Sequence, residues 1–302
     1  MSAPRLPGIA FAVIAAVVSG FAVFTNGLAV KRFDDATVYT TAKNMIAGGL
    51  LVTALIVRQR SGARLDGRVP SSAAPRLAAI AVIGGAVPFV LFFEGLARAT
   101  STNAAFIHKT LVIWVAVGAW AVLRERVTAV HVVAIVLLVV GHLVLSGRPP
   151  TSFGEGEVMI LAATLLWSAE VLMVKRLVPA VPPHVAAVTR MAGGSALLVC
   201  WLAARGDIGG LAALSGEQWA WLALTGTTLS VFVITWYTAL SLAPAIDVTA
   251  VLVLGAVITG LLDTGFRGVP VTADSAGYIL LALGAIVVAL TSRSRAGGPV
   301  PA

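Results

Sequence analysis

Ten runs of 18–24 mainly apolar residues, separated by polar tracts, make up most of this chain. They fall at 9–30, 37–57, 77–97, 102–123, 128–146, 157–174, 184–204, 219–242, 245–266 and 273–292. A bilayer core of ~30 Å is crossed by about 20 helical residues. Hydrocarbon offers no partner to backbone N–H and C=O groups, so each run must be a helix that satisfies its own backbone. Only 11% of the residues are charged, against about 25% in a soluble domain. The first run, "IAFAVIAAVVSGFAVFTNGLAV", is 22 residues long, beyond the 7–15 residues of a signal-peptide core. It reads as a retained first span. The sequence therefore predicts an all-α integral membrane protein.

The net charge of +8 does not point to nucleic acid. Most basic residues lie in the tracts between runs, where positive charge orients a membrane protein. With ten spans both termini share one side. If that side is the cytoplasm, twelve Lys and Arg lie inside (Arg5, Arg58, Arg60, Arg64, Arg68, Arg76, Arg124, Arg126, Lys175, Arg176, Arg293, Arg295). Six lie outside (Lys31, Arg32, Arg98, Arg148, Arg205, Arg267). The bias predicts cytoplasmic termini in a multi-pass protein of the plasma (bacterial inner) membrane. Trp201, Trp219 and Trp221 fall near outer span ends, where interface anchors belong. The single cysteine, Cys200, excludes an intrachain disulfide framework and reads as apolar filler.

The chain also repeats itself. "TNGLAVKRF" (25–33) aligns with "AEVLMVKRL" (169–177), and "EGLARAT" (94–100) with "TALSLAP" (238–244), both at an offset of 144. "AIVLLVVG" (134–141) aligns with "GYILLALG" (277–284), and "AKNMIAGG" (42–49) resembles "TRMAGGS" (189–195). The expected organisation is a first five-helix repeat over 1–147, a linker over 148–156, and a second five-helix repeat over 157–302 that ends in a short polar tail. An odd number of spans per half inserts the second half upside down, the inverted-topology repeat of secondary transporters.

The block "ATSTNAAFIHKTLVIWVAVGAWAVLRERVTAVHVVAIVLLVVG" (99–141) resembles the fourth and fifth spans of the drug/metabolite transporter superfamily, EamA type. Glu125 stands on the family glutamate and Gly141 on its final glycine. Asn26 and Lys31 match the end of the family's first-span motif, whereas Val23, Phe24 and Thr25 depart from it. In the second half Trp167 and Lys175 match, and Glu170 stands where the asparagine would be. Arg190 matches the arginine of the second span of each repeat, which Lys43 replaces in the first half. The family's proline in spans 4 and 9 is absent: His108–Lys109–Thr110 and Leu252–Val253–Leu254 occupy those places. The resemblance implies ten spans in two inverted five-helix repeats and transport of small metabolites, amino acids or similar compounds first.

Charges inside spans are functional candidates, because lipid does not solvate them. Lys109 lies about eight residues into span 4, ~12 Å deep at 1.5 Å per residue. A cation there costs roughly 2.5–3.5 kcal/mol on insertion scales. It must face the bundle interior, with a carboxylate from substrate, Glu94 or Glu170 as compensation. Glu170, also deep, is a candidate for substrate binding and for proton coupling; the alternative is a buried structural pair. Glu94 is the second proton-coupling candidate, and it and Lys43 are placed to meet in an outward-facing vestibule. Arg190 either snorkels to headgroups or faces the bundle. His108 is either a packing histidine or a ligand contact, and Asn26 a substrate partner or a helix bridge. Glu125, between Arg124 and Arg126, reads as a loop salt bridge. His131, His142 and His184 read as structural or interfacial. Asp247 and Asp263 mark the ends of span 9.

Nothing suggests a catalytic centre, metal or cofactor. "DTG" (263–265) ends a helix with no second copy, and there is no HExxH, CxxC or phosphate-cradling glycine loop. The expected function is a secondary transporter of amino acids or similar zwitterions or organic anions, in the export direction, by alternating access with proton coupling. The alternative is a non-transport membrane sensor, scaffold or intramembrane enzyme. The expected partners are a small-molecule substrate and the lipid bilayer, with no nucleic acid and no nucleotide; a homodimer is compatible with the sequence.

Overall fold

The computed structural model of the chain describes residues 5–61, 69–99, 104, 107–146, 153–267 and 283. Among these, seven helices are long and apolar enough to cross a membrane. They are span 1 (Leu6–Arg32), span 2 (Ala36–Arg60), span 3 (Ser71–Leu96), span 6 (Glu155–Leu177), span 7 (Pro183–Ala204), span 8 (Gly216–Leu242) and span 9 (Ala245–Phe266). Two shorter apolar helices, span 4 (Ile107–Leu123) and span 5 (Ala129–Ser146), complete the set. The tenth expected span, 273–292, lies outside the described residues but for Leu283, as do most of the 148–156 linker and the tail.

Local chemistry sets the span ends. Asp35 caps span 2, its carboxylate accepting from the Thr37 and Val38 N–H groups at 2.6 and 3.1 Å. Ser215 and Gln218 form a reciprocal capping box at span 8. Span 4 stops at Arg124, whose φ of 55° places it in the left-handed region. Four spans are interrupted among the described residues. Span 3 breaks at Gly84–Ala86, span 4 at Thr110, span 9 at Val253, and span 7 carries a π-helical turn at Thr189–Gly193. A π-turn marks functional positions often enough to merit notice.

The packing has an exchange symmetry. Span 1 lies along spans 8 and 9, and span 6 lies along spans 3 and 4. Adding five to each number converts one set into the other. Span 2 packs on span 7, which maps that pair onto itself and places it at the two-fold axis. The ends fix the inversion. Span 1 begins against the end of span 8, where a methyl on Gly8 would lie 2.7 Å from the Ala243 Cβ. Span 6 begins against the end of span 3, where a methyl on Gly156 would lie 2.9 Å from the Ala99 nitrogen. The beginning of span 1 and the end of span 3 are on opposite sides of the bundle. Equivalent contacts thus lie on opposite faces, and the second half is inverted.

Small residues allow the halves to touch closely. A Cβ on Gly194 of span 7 would come within 2.6 Å of the Gly85 Cα in the break of span 3. One on Gly20 of span 1 would come within 2.6 Å of the Ile258 Cβ of span 9. Such contacts give helix approach in lipid, where apolar burial supplies no drive. The outward faces are apolar: Trp120, Val117 and Leu261 are exposed, as lipid contact requires. Trp201 and Trp219 are also exposed, in keeping with interface anchoring. Cys200 is exposed on span 7 and fills no core space; the expectation of an apolar filler is corrected on that point.

Candidate functional site

Two cation clusters face the interior, one built mainly on each repeat. In the first, Lys43 of span 2 is 3% exposed. Its Nζ donates to the Asn26 Oδ1 of span 1 at 3.0 Å. Tyr39, one turn before Lys43, donates its hydroxyl to the same oxygen at 2.5 Å. The ammonium also lies over three rings, with Tyr39 and Phe93 centroids at 4.9 and 4.8 Å and Phe89 at 5.8 Å. Lys43 and Tyr39 meet because they are four residues apart on one helix face, and Phe89 and Phe93 likewise on span 3.

In the second cluster, Glu170 of span 6 is 2% exposed. It accepts a hydrogen bond from the Tyr237 hydroxyl of span 8. The Arg190 Nε of span 7 lies 3.6 Å from the same carboxylate and donates to the Gly84 carbonyl at 3.2 Å. The Trp167 indole N–H donates to that carbonyl as well, at 3.2 Å. The break in span 3 frees this oxygen from helix bonding. It also lets the carboxylate approach, since a Cβ on Gly84 would sit 2.7 Å from the Glu170 Cγ.

The clusters are repeat equivalents. Asn26 corresponds to Glu170 and Phe93 to Tyr237 at the 144-residue offset, and Lys43 corresponds to Arg190 within a few residues of it. Each has a cation on the second span of its repeat, an acceptor on the first, and an aromatic ring on the third. Between them lies an aromatic group in which Trp167 packs on Phe89 and Phe92, with centroids at 5.4 and 5.5 Å. His108 packs on Phe92 and Trp167, at 5.1 and 5.2 Å. Several buried polar atoms have no hydrogen-bond partner among the described residues: the Thr40 and Thr41 hydroxyls, both side-chain atoms of Asn44, His108 Nδ1 and Arg190 Nη1. Native interiors leave few such groups unpaired.

The EamA-like transporter family matches residues 6–147 and, a second time, 154–291. The chain belongs to the EamA-like transporter family. This family is a transporter family of membrane proteins, not an enzyme family. A solved structure described only as that of a protein covers 96% of this chain and 99% of its own length, with a TM-score of 0.74 and 18% identity. At that identity the likeness shows the fold alone. No curated protein matches the chain.

Within this EamA-like bundle the sequence candidates sort differently from their expected pairings. Arg190 does not snorkel; it is buried against Glu170. Glu94 does not meet Lys43. It lies at the face opposite the start of span 1, where it pairs with Arg98 at 2.8 Å and with Arg205 at 2.9 Å. Arg205, from the second half, also reaches Asp35 at 3.4 Å and Asp207 at 3.0 Å. Partial burial would lower the Arg205 guanidinium, but these carboxylates override it and hold it above its ordinary value. This network ties the two repeats together at that face.

Lys109 is half-buried. It makes no ion pair with Glu94, Glu170 or any other described residue. His108 is the member of the pair that enters the aromatic group. Glu125 makes no salt bridge with Arg124 or Arg126. Its oxygens accept from the Ala245 and Ile246 N–H groups at 2.9 and 3.2 Å and so cap span 9. Beside it, Lys175 donates to the Leu240 and Ala243 carbonyls at 2.8 and 2.6 Å, closing the end of span 8. His131 bonds Asp247 at 2.7 Å, an interfacial role as expected. Its Nδ1 accepts from the Thr128 N–H at 3.2 Å, so its Nε2 is the donor to Asp247. The side chains of His142 and Asp263 lie outside those described.

Tyr39, Tyr237 and the Gly84 carbonyl were not among the sequence candidates. A signal for Tyr237 was present, since it directly precedes the "TALSLAP" segment that aligns with "EGLARAT" and so falls opposite Phe93.

Proposed function

We propose that the chain is a secondary transporter that exports small metabolites, amino acids or similar zwitterions or organic anions, across the plasma membrane, with both termini cytoplasmic. The moving units are residues 1–147 and 157–302, which rock about the span 2–span 7 axis by alternating access. Substrate sits between the Lys43–Asn26 and Arg190–Glu170 clusters, against Trp167 and His108. Glu170 carries the coupling proton, exchanging it against Arg190 and Tyr237. Lys109 lies beside the aromatic group and receives an acidic group of the substrate on its way through.

The observation that supports this reading is the pair of repeat-related cation clusters buried at the interface of two inverted halves. A purely structural core has no need of buried polar atoms without partners, and several surround these clusters. The test is a screen of metabolite flux with purified protein in liposomes, with and without a pH gradient. Flux that depends on the protein and disappears in Glu170→Gln supports the proposal. A folded protein that moves no solute in either direction returns the reading to a sensor or scaffold.

A further inference from the structure

The two clusters share a plan but differ in the acceptor that faces the cation. Opposite Arg190 stands a carboxylate, Glu170; opposite Lys43, at the equivalent place, stands the neutral amide of Asn26. The carboxylates on neighbouring elements are engaged elsewhere. Glu170 is taken by Arg190 and Tyr237. Glu94 is taken by Arg98, Arg205 and Thr37. Asp35 caps span 2 and pairs with Arg205. Asp247, in the second half, is bound to His131. Lys43 is therefore a buried ammonium with one acceptor at 3.0 Å and no carboxylate partner among the described residues.

An ammonium has three N–H donors, so two of those on Lys43 have no acceptor among the described residues. The faces of Tyr39, Phe89 and Phe93 stabilise its charge in part. They neither accept a hydrogen bond of ordinary strength nor cancel the charge. Within one turn on span 2, Thr40, Thr41 and Asn44 are each buried to 1% exposure or less with unpartnered polar atoms. Counting Arg190, Glu170 and Lys43, the central region holds two cations and one anion.

We infer that the substrate is a carboxylate whose negative group binds Lys43 in the position that Glu170 occupies against Arg190. This rests on the transporter reading above and narrows its substrate class. Thr40, three residues before Lys43 and so on the same face of span 2, carries an unpartnered hydroxyl suited to the second carboxylate oxygen. The rings of Phe89, Phe93 and Tyr39 form an apolar wall that suits a hydrocarbon or aromatic body. A simple amine finds a cation already caged by those rings.

The test uses three probes on one skeleton: phenylacetate, phenylacetamide and phenethylamine. Each is added to the purified full-length protein in detergent and its thermal stabilisation is measured, since a ligand of the native state raises the unfolding temperature. Phenylacetate is expected to stabilise the protein, and the amide and the amine are not. Asn26→Asp supplies the missing counter-charge from within the protein at almost unchanged shape. It is expected to fold normally and to weaken phenylacetate binding by about tenfold or more, through like-charge repulsion and loss of the free cation. Lys43→Met is the second variant and is expected to lose the same stabilisation.

No stabilisation by phenylacetate, equal stabilisation by amide or amine, or phenylacetate binding that survives unchanged in both variants would overturn the inference. Liposome flux separates this from failure of the transporter reading. Flux of amines or neutral solutes without carboxylate binding overturns only the substrate class. Carboxylate binding with no flux of any solute overturns only transport.

Discussion

Glu170 and Arg190 form a buried couple whose value can be worked from its geometry. The guanidinium Nε is 3.6 Å from the carboxylate oxygen, and both side chains are almost fully buried. At this separation an effective dielectric constant of 20 gives a Coulomb attraction of about 4 kcal/mol. Desolvation opposes it, and removing one member strands the other, which costs about 3–5 kcal/mol for buried pairs. Glu170→Gln keeps an acceptor for the Tyr237 hydroxyl but leaves Arg190 without a counter-charge. Unfolding followed by intrinsic fluorescence in detergent should show a fall of roughly 10 °C, at about 2–4 °C per kcal/mol. Arg190→Met alone should cost a similar amount. The double variant Glu170→Gln, Arg190→Met should recover much of the loss, with a coupling energy of about 1–3 kcal/mol. Additive losses, or a Glu170→Gln variant within about 2 °C of the parent, would show that the two groups do not act as a pair.

Three further outcomes follow from the same contacts. Gly84→Ala places a methyl 2.7 Å from the Glu170 Cγ and 2.8 Å from the Ile80 carbonyl; it should lower stability by about 1–3 kcal/mol, as overpacking does, and reduce flux. Arg205→Ala removes the cross-repeat ties to Glu94 and Asp35. Because these pairs are partly solvated and worth little stability, it should leave the unfolding temperature within about 2 °C yet change the rate at which that face opens, read as altered flux at constant substrate affinity. Lys109→Met should abolish flux while leaving stability unchanged or higher, because no protein partner among the described residues is stranded; undiminished flux would remove Lys109 from the path.

Much of the fold was legible because lipid imposes a simple rule. An apolar run of about 20 residues has few options other than a spanning helix, and the repeat offset revealed the two halves. Nine of the ten expected spans are found near their expected boundaries, and the tenth, but for Leu283, lies outside the described residues. The breaks were less legible. A glycine pair such as Gly84–Gly85 suggests close helix packing, yet this pair also ends a helix and frees a carbonyl for Trp167 and Arg190. Pairing was the least legible. Lys43 and Glu94 share a face of the membrane by residue count, but rotation about each helix axis decides which charges meet. That rotation turns Glu94 toward Arg98 and Arg205 and Lys43 toward Asn26. Glu125 was misread for a similar reason. Neighbouring arginines suggested a loop pair, whereas the open N–H groups at the start of span 9 were the stronger partner. The repeat alignment held the better clue throughout, since Asn26 against Glu170 and Lys43 against Arg190 emerge from it directly.

The proposed alternating access makes a direct demand on the buried polar stretch of span 2. Asn44 is fully buried there, with both side-chain atoms unpartnered among the described residues. With Cys200 replaced by Ser, an Asn44→Cys variant carries a single reporter thiol, and a membrane-impermeant thiol reagent can be applied to sealed vesicles from either side. Labelling is expected from each face in turn, with substrate slowing both. A thiol that reacts from one face only, or from neither, would contradict it.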